Sequence, residues 1–148
     1  MSTETRDVVA LARGWIGTPY RHQCSTRQAG TDCLGLIRGI WRELHGREPT
    51  AVPGYSADWG EPQREERLWR AAADHLRPAP DGRVLPGDVL LFRMRDGAVA
   101  KHLGIAAELR GMPTVIHAYS GHGVTETPLT NPWARRIVAR FRFPDEVK

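Results

Sequence analysis

The sequence predicts an α+β domain in which N-terminal helices pack on an antiparallel sheet formed by the C-terminal half. Two observations support this class. Apolar residues recur at helical spacing in the first half of the chain, and strand-like apolar runs joined by short, glycine-containing turns fill the second half. A length of 148 residues suits one domain, so we expect residues 1–148 to form a single unit.

The first predicted helix covers residues 4–15. One face carries apolar side chains at helical spacing, namely Val8, Leu11, Ala12 and Trp15. The run Gly17-Thr18-Pro19-Tyr20 ends it, because proline disfavours a helical conformation in the residue before it. A polar loop is expected from Arg21 to Thr31.

The second predicted helix has recognisable signals at both ends. Asp32 is a good N-cap, Gly46 is a good C-cap, and the apolar residues between them repeat at helical intervals. Gly35 and Gly39 each cost this helix about 1 kcal/mol relative to alanine. We therefore expect another part of the backbone, or a crowded site, to approach that face closely.

The remaining elements are predicted from composition and from the glycine and proline residues that interrupt helices and strands. A long loop is predicted from Glu48 to Pro62, and a third helix covers 63–76. Buried strands are predicted at 89–92, 102–108, 114–119 and 137–143.

Composition excludes several classes of protein. The formal charge of +4 comes with no basic stripe, no zinc-finger spacing and no phosphate-binding glycine loop, so we expect no specific nucleic-acid partner. No apolar stretch is long enough for a membrane span, and the N-terminus does not resemble a signal peptide. Cys24 and Cys33 lack the spacing and partners of a zinc site, so no metal or other cofactor is expected.

Cys33 is the best candidate nucleophile. It directly follows the predicted N-cap Asp32, and the unpaired N–H groups and dipole of a helix start stabilise a thiolate. The same N–H groups could hold the oxyanion of a tetrahedral intermediate. The alternative is that Cys33 is only a small buried apolar residue.

Two histidines favour the catalytic alternative. If Glu108 to Gly111 form a four-residue hairpin loop, His102 and His117 are directly opposite on one sheet face. Adjacent imidazoles suit a general base and the group that orients it. A loop of three or five residues would place them on opposite faces, and a lone strand histidine is usually structural.

Four blocks in the sequence resemble the NlpC/P60 cysteine peptidases. They occur in the family's order and cover about residues 8–120: Gly17-Thr18-Pro19-Tyr20 with Thr31-Asp32-Cys33-Leu34-Gly35-Leu36-Ile37, then Leu85-Pro86-Gly87-Asp88-Val89-Leu90-Leu91-Phe92, His102-Leu103-Gly104-Ile105 and Val115-Ile116-His117-Ala118.

The resemblance implies a papain-like fold and cleavage of peptidoglycan stem peptides. Carried over by position, Cys33 is the nucleophile, His102 the general base and acid, and His117 the residue that orients it. Tyr20 matches a tyrosine that lines the family's site, unless it merely packs behind the turn. We count it with Asp32 among the residues expected to bind substrate or the oxyanion. Leu34 departs from the serine that usually follows the cysteine.

The same resemblance suggests how the protein acts outside the cell that makes it. Family members usually carry a signal peptide and wall-binding modules, whereas this chain looks most like the cell-wall peptidases of phage tails and gene transfer agents. We therefore expect synthesis in the cytoplasm, assembly with tail or baseplate proteins, and action on the recipient's wall in the periplasm. The alternatives are an inactive structural subunit and an acyltransferase or lipid hydrolase. A bell-shaped pH profile is expected for an active thiol–imidazole pair.

Overall fold

A computed structural model describes residues 3–48, 66–80, 82–119 and 121–144. It confirms the predicted α+β class. Within the described residues, four helices, α1 to α4, accompany a small two-stranded hairpin and a six-stranded antiparallel sheet. Most of the predicted loop from Glu48 to Pro62, and the start of the predicted helix 63–76, lie outside the described residues.

In residues 3–48 and 66–78 the structure describes three helices, the small hairpin and the first strand of the large sheet, β3 (Arg77–Pro78). In chain order the helices and hairpin strands are α1 (Thr3–Arg13), β1 (Ser25–Thr26), β2 (Gly30–Thr31), α2 (Cys33–His45) and α3 (Arg67–His75). The hairpin lies inside the segment predicted as a polar loop. Helix α1 ends two residues before the predicted end, but Trp15 is still buried, and its indole Nε1 donates to Glu43 Oε1 at 2.9 Å.

The C-terminal half forms the large sheet. Its elements are β3 (Arg77–Pro78), β4 (Val89–Arg93), β5 (Ala100–Leu109), β6 (Met112–Tyr119), β7 (Gly123–Pro128), α4 (Asn131–Ala134) and β8 (Ile137–Arg142), with the strand order β3-β8-β4-β5-β6-β7. The four predicted strands are present. Strands β3 and β7 and the short helix α4 were not predicted.

Helix α2 has the predicted caps. Asp32 accepts a hydrogen bond from the Gly35 N–H, and Gly46 adopts a left-handed conformation with φ of 86°. A Cβ atom at Gly35 would overlap the Cys24 carbonyl oxygen, and one at Gly39 would overlap the Trp15 indole. The two helix glycines therefore permit the close approach that the sequence predicts.

The large sheet has two different faces. One face packs against α1, α2 and α3 and forms the main apolar core, with Leu103, Ile105 and Ile116 contributed by β5 and β6. The opposite face carries a smaller cluster built around Leu90, Phe92, Ala106 and Val115. No helix in the described part of the chain combines the length and apolar character needed to span a bilayer.

Candidate functional site

Asp32 fixes the start of helix α2. Its Oδ1 accepts from the Gly35 N–H and its Oδ2 from the Gln23 N–H, each at 2.7 Å, so one carboxylate joins the preceding loop to the helix. The side chain is buried, with 2% of the residue exposed. Capping is the role that these contacts support, and substrate or oxyanion binding by Asp32 stays a prediction.

The Cys33 thiol lies against the backbone of strand β5. Its Sγ is 3.9 Å from the Lys101 carbonyl oxygen, and the Leu103 N–H also points at the sulfur. The backbone of Ala106 hydrogen-bonds to Gly87 and Asp88, just before β4. Because backbone polar groups alternate in direction along a strand, those of Lys101 and Leu103 point the other way, toward β6. The pairing of β5 with β6 runs only from Leu109 to Ile105. The sulfur therefore meets the edge of β5 beyond the end of that pairing.

The thiol is not activated as the sequence suggests. Burial raises the pKa of Cys33 to about 12, and the negative charge of Asp32 raises it further. The N–H groups of Cys33, Leu34 and Leu103 act in the opposite direction but are outweighed. The expectation of a lowered pKa is therefore wrong for the resting protein, because desolvation of the thiolate exceeds the stabilisation at the helix start.

His102 and His117 are in direct contact, as predicted. His102 Nε2 and His117 Nδ1 are 2.8 Å apart, and both residues are buried. The predicted register is wrong by two residues, because Arg110 and Gly111 form a two-residue turn with positive φ angles of 53° and 79°. Ile105 pairs with Ile116, so the two histidines are diagonal neighbours instead of directly opposite residues.

Thr127 on β7 completes a chain of hydrogen bonds. Its Oγ1 is 3.2 Å from His117 Nε2. If His102 is to accept a proton at Nδ1, its Nε2–H must donate to His117 Nδ1, and His117 Nε2–H must then donate to Thr127. Burial lowers the pKa of His102 to about 3, with a further contribution from His117, and burial lowers the pKa of His117 to about 4. Both imidazoles are therefore neutral in the resting protein.

The His102 side chain and the Cys33 thiol lie at different parts of β5. The His102 ring is 5.6 Å from the Phe92 ring, centroid to centroid, on the sheet face opposite the helices. Sγ contacts the peptide groups on either side of His102. Among the described residues no hydrogen bond joins Sγ to the His102 ring, and His102 Nδ1 has no hydrogen-bond partner there. The structure thus brings Cys33 and His117 to the part of β5 that carries His102, without a hydrogen bond between the thiol and the imidazole.

Aromatic side chains that were not predicted from the sequence surround the histidine pair. Trp133 lies with its ring 5.8 Å from His102 and 5.2 Å from His117, and Tyr119 lies 5.9 Å from His102. His122 stacks on Tyr119 at 5.4 Å, so it lies at the edge of this group. Thr127 and Trp133 were missed because β7 and α4 were not predicted. The turn motif Asn131-Pro132 was the available signal for α4.

Tyr20 is half-buried at the edge of the main core. It forms a bridge with Thr31 and packs against the main core. Burial raises the pKa of Tyr20 to about 12, and the charges of Cys33 and Asp32 raise it further, so its hydroxyl is neutral. A role in binding the oxyanion stays a prediction. In the described parts of the chain no three histidine, cysteine or acidic residues are grouped as metal ligands would be.

Comparison with known proteins identifies relatives of this fold. The family model described as the NlpC/P60 family matches residues 17–142. The crystal structure of the NlpC/p60 domain of the peptidoglycan hydrolase SagA is 25% identical, with 84% of this chain and 89% of that chain covered and a TM-score of 0.54. A search of curated proteins finds no match.

Two longer proteins share the fold. A protein similar to a lipoprotein of the NLP/P60 family from Staphylococcus aureus subsp. aureus Mu50 is 19% identical, with a TM-score of 0.58 over 96% of this chain and 42% of that one. An NlpC/P60 family protein from Bacillus cereus ATCC 10987 is also 19% identical, with a TM-score of 0.63 over 97% and 41%. This chain spans about two-fifths of each of these relatives. Because the family model covers most of its length, the chain belongs to the NlpC/P60 family.

Proposed function

We propose that this protein is a cysteine endopeptidase that hydrolyses amide bonds in the stem peptides of peptidoglycan. The observation that carries the proposal is the 2.8 Å contact between His117 of β6 and His102 of β5, the strand whose backbone the Cys33 thiol touches. Similarity to the NlpC/p60 domain of a peptidoglycan hydrolase supports the substrate class.

In this mechanism Cys33 gives its proton to His102 Nδ1 while Sγ attacks the amide carbonyl carbon. The carbonyl oxygen becomes an oxyanion, held by N–H groups at the start of α2 and by the Tyr20 hydroxyl. The C–N bond then breaks as His102 protonates the leaving amine. Water, deprotonated by His102, hydrolyses the resulting thioester and restores the thiol.

His117 would act through His102. By accepting a hydrogen bond from His102 Nε2–H, it keeps the lone pair at Nδ1 and orients the ring. Catalysis needs Nδ1 and Sγ to come within hydrogen-bond distance, and such contacts often tighten only when substrate binds. The neutral resting pair fits a mechanism in which proton transfer accompanies the attack.

We further propose that the enzyme is carried on a phage-like tail or baseplate and acts on the recipient's wall in the periplasm. The resemblance of the blocks around Tyr20 and Cys33 to tail-borne peptidases motivates this proposal. Mass spectrometry of purified particles should find the chain in the tail fraction. Its presence only in the cytoplasm of the producing cells would contradict this location.

Digestion of purified peptidoglycan tests the activity. Wild-type protein should release peptide fragments that mass spectrometry assigns to cleavage within the stem, and Cys33→Ser should release none. Cys24→Ser serves as the matched control and should remain active, because the Cys24 thiol takes part in no step of the proposed mechanism.

Other products would point to another function. If wild type and Cys33→Ser are equally inert on wall material but both assemble into particles, the chain is a structural subunit. Release of fatty acid instead of stem fragments would favour a lipid hydrolase or acyltransferase.

A further inference from the structure

A basic pocket opens at the end of strand β4. Its volume is about 340 Å³, within the range of small-ligand sites. Four arginines and one aspartate give its lining a formal charge of +3; the lining residues are Arg93, Met94, Arg95, Asp96, Arg135, Arg136 and Val138. An anionic ligand is therefore the kind that the pocket favours.

The pocket adjoins the histidine pair through one aromatic ring. The Arg93 N–H donates to the Arg136 carbonyl at 2.8 Å, which joins the two walls of the pocket. The Arg136 guanidinium lies over the Trp133 ring at 5.6 Å, and the same ring contacts His102 and His117. A ligand group in the pocket would thus lie one indole away from the proposed catalytic imidazoles.

The arginines differ in how they are already engaged. Arg93 pairs with Glu66 at 3.0 Å and also donates to the Ala98 carbonyl. Arg135 is exposed and Arg136 half-buried, and the described residues supply neither with an acidic partner. These two guanidinium groups retain donors for a ligand, and such groups bind carboxylates in a bidentate manner.

We propose that this pocket binds a free carboxylate of the substrate peptide, with Arg135 and Arg136 as the principal donors. The inference deepens the proposed function and rests on it for the identity of the ligand. Stem peptides that contain γ-linked glutamate and diaminopimelate carry free carboxylates close to their amide bonds. A carboxylate held beside Trp133 would position such a bond near the histidines and select acidic peptides over amidated ones.

Binding measured without turnover tests the pocket separately from the enzyme. In a Cys33→Ser background, calorimetry should compare the tripeptide L-alanyl-γ-D-glutamyl-diaminopimelate with the same peptide carrying amides in place of its free carboxylates. The acid should bind at least about tenfold more tightly, the factor expected for one charge-assisted hydrogen bond. Arg135→Gln with Arg136→Gln should remove that preference, and Arg136→Lys alone should weaken it, because lysine keeps the charge but cannot bind a carboxylate in a bidentate manner.

Arg110→Asn is the matched control. It removes one arginine charge at the opposite end of β5, and asparagine tolerates the positive φ of that turn. This variant should keep the preference for the acid, and all variants should keep the melting temperature of the parent.

The proposed pocket and the proposed enzymatic activity can be contradicted independently. Equal affinity for acid and amide, or displacement of the peptide by an equal concentration of inorganic phosphate, would overturn the carboxylate pocket even if wild type digests peptidoglycan. Conversely, the preference for acid and its loss in the double variant would support the pocket even if no peptidoglycan is cleaved.

Discussion

The two faces of strands β5 and β6 use neighbouring residues for different purposes. Leu103 and Ile105 point into the main core beneath the helices, whereas His102 lies among aromatic rings on the opposite face. Because side chains alternate along a strand, adjacent residues can serve stability and chemistry almost independently. We therefore expect substitutions on the helix-facing side to affect mainly folding, and substitutions of the neighbouring residues on the opposite face to affect mainly catalysis.

The largest effect should come from the face that carries the histidines. His102→Gln removes the proposed base, and we expect kcat to fall about 10³-fold, within the usual range for general acid–base catalysis. The midpoint of urea unfolding should change little, since a neutral amide replaces a neutral imidazole. Activity within about tenfold of wild type would remove His102 from the mechanism.

Leu103→Ala tests the helix-facing side of the same strand. Leu103 is 1% exposed, so truncation should lower the free energy of unfolding by about 2–5 kcal/mol. Peptidoglycan cleavage per folded molecule, measured well below the new unfolding midpoint, should remain close to that of wild type. A loss as large as that of His102→Gln would show that the two faces are not independent.

His117→Ala should reduce kcat about 100-fold, because His102 loses the acceptor that fixes its tautomer. His117→Asn should recover part of this loss, since its side-chain oxygen can accept from His102 Nε2–H. If alanine and asparagine are equally impaired, His117 does more than orient the ring.

Thr127→Val should have a smaller effect. It removes the hydroxyl 3.2 Å from His117 Nε2 while keeping the shape of the side chain, and we expect a decrease in kcat of about tenfold or less. Thr127→Ser retains the hydroxyl and should behave like wild type in the same assay. Equal losses in both variants would point to packing of the methyl group instead.

The smallest effect should be that of pH near neutrality. With the pKa of Cys33 raised to about 12 and those of His102 and His117 lowered to about 3 and 4, the neutral pair persists across this range. We expect kcat/KM to change less than about twofold between roughly pH 6 and pH 9, in place of the bell-shaped profile expected from sequence. A narrow bell centred near neutrality would indicate a thiolate–imidazolium pair.

The depressed histidine pKa values also predict a pH dependence of stability. The unfolded chain takes up protons on both imidazoles near pH 6.5, whereas the folded protein does so only near their lowered pKa values. The folded state therefore loses stability as pH falls from about 6.5 toward 4. Urea unfolding of the wild type and of His102→Gln should show a weaker acid dependence in the variant.

The features predicted from sequence are those with local causes. Asp32 and Gly46 were recognisable as caps because each acts on backbone groups within a few residues. The turn at Arg110 and Gly111 was misjudged because arginine does not signal a positive φ. The error in register was two residues, and an even shift leaves each side chain on its original face, so His102 and His117 still meet.

The features that could not be predicted depend on the assembled structure. The raised pKa of Cys33 results from burial against β5 and from the charge of Asp32, neither of which a helix-start argument includes. Trp133 and Thr127 reach the histidines only because β7 and α4 fold back along the sheet. Such contacts span many residues and leave no periodic pattern.

The hydrogen bonds of the Asp32 carboxylate affect how a mutational scan of this site would be interpreted. Replacing this carboxylate releases the Gly35 and Gln23 N–H groups together, so the loop and the first turn of α2, with its sulfur, would move. Activity would fall as though a reacting group had been lost, because these hydrogen bonds hold the nucleophile's helix to the preceding loop. A ranking of residues by lost turnover would therefore place an architectural carboxylate beside the nucleophile it supports.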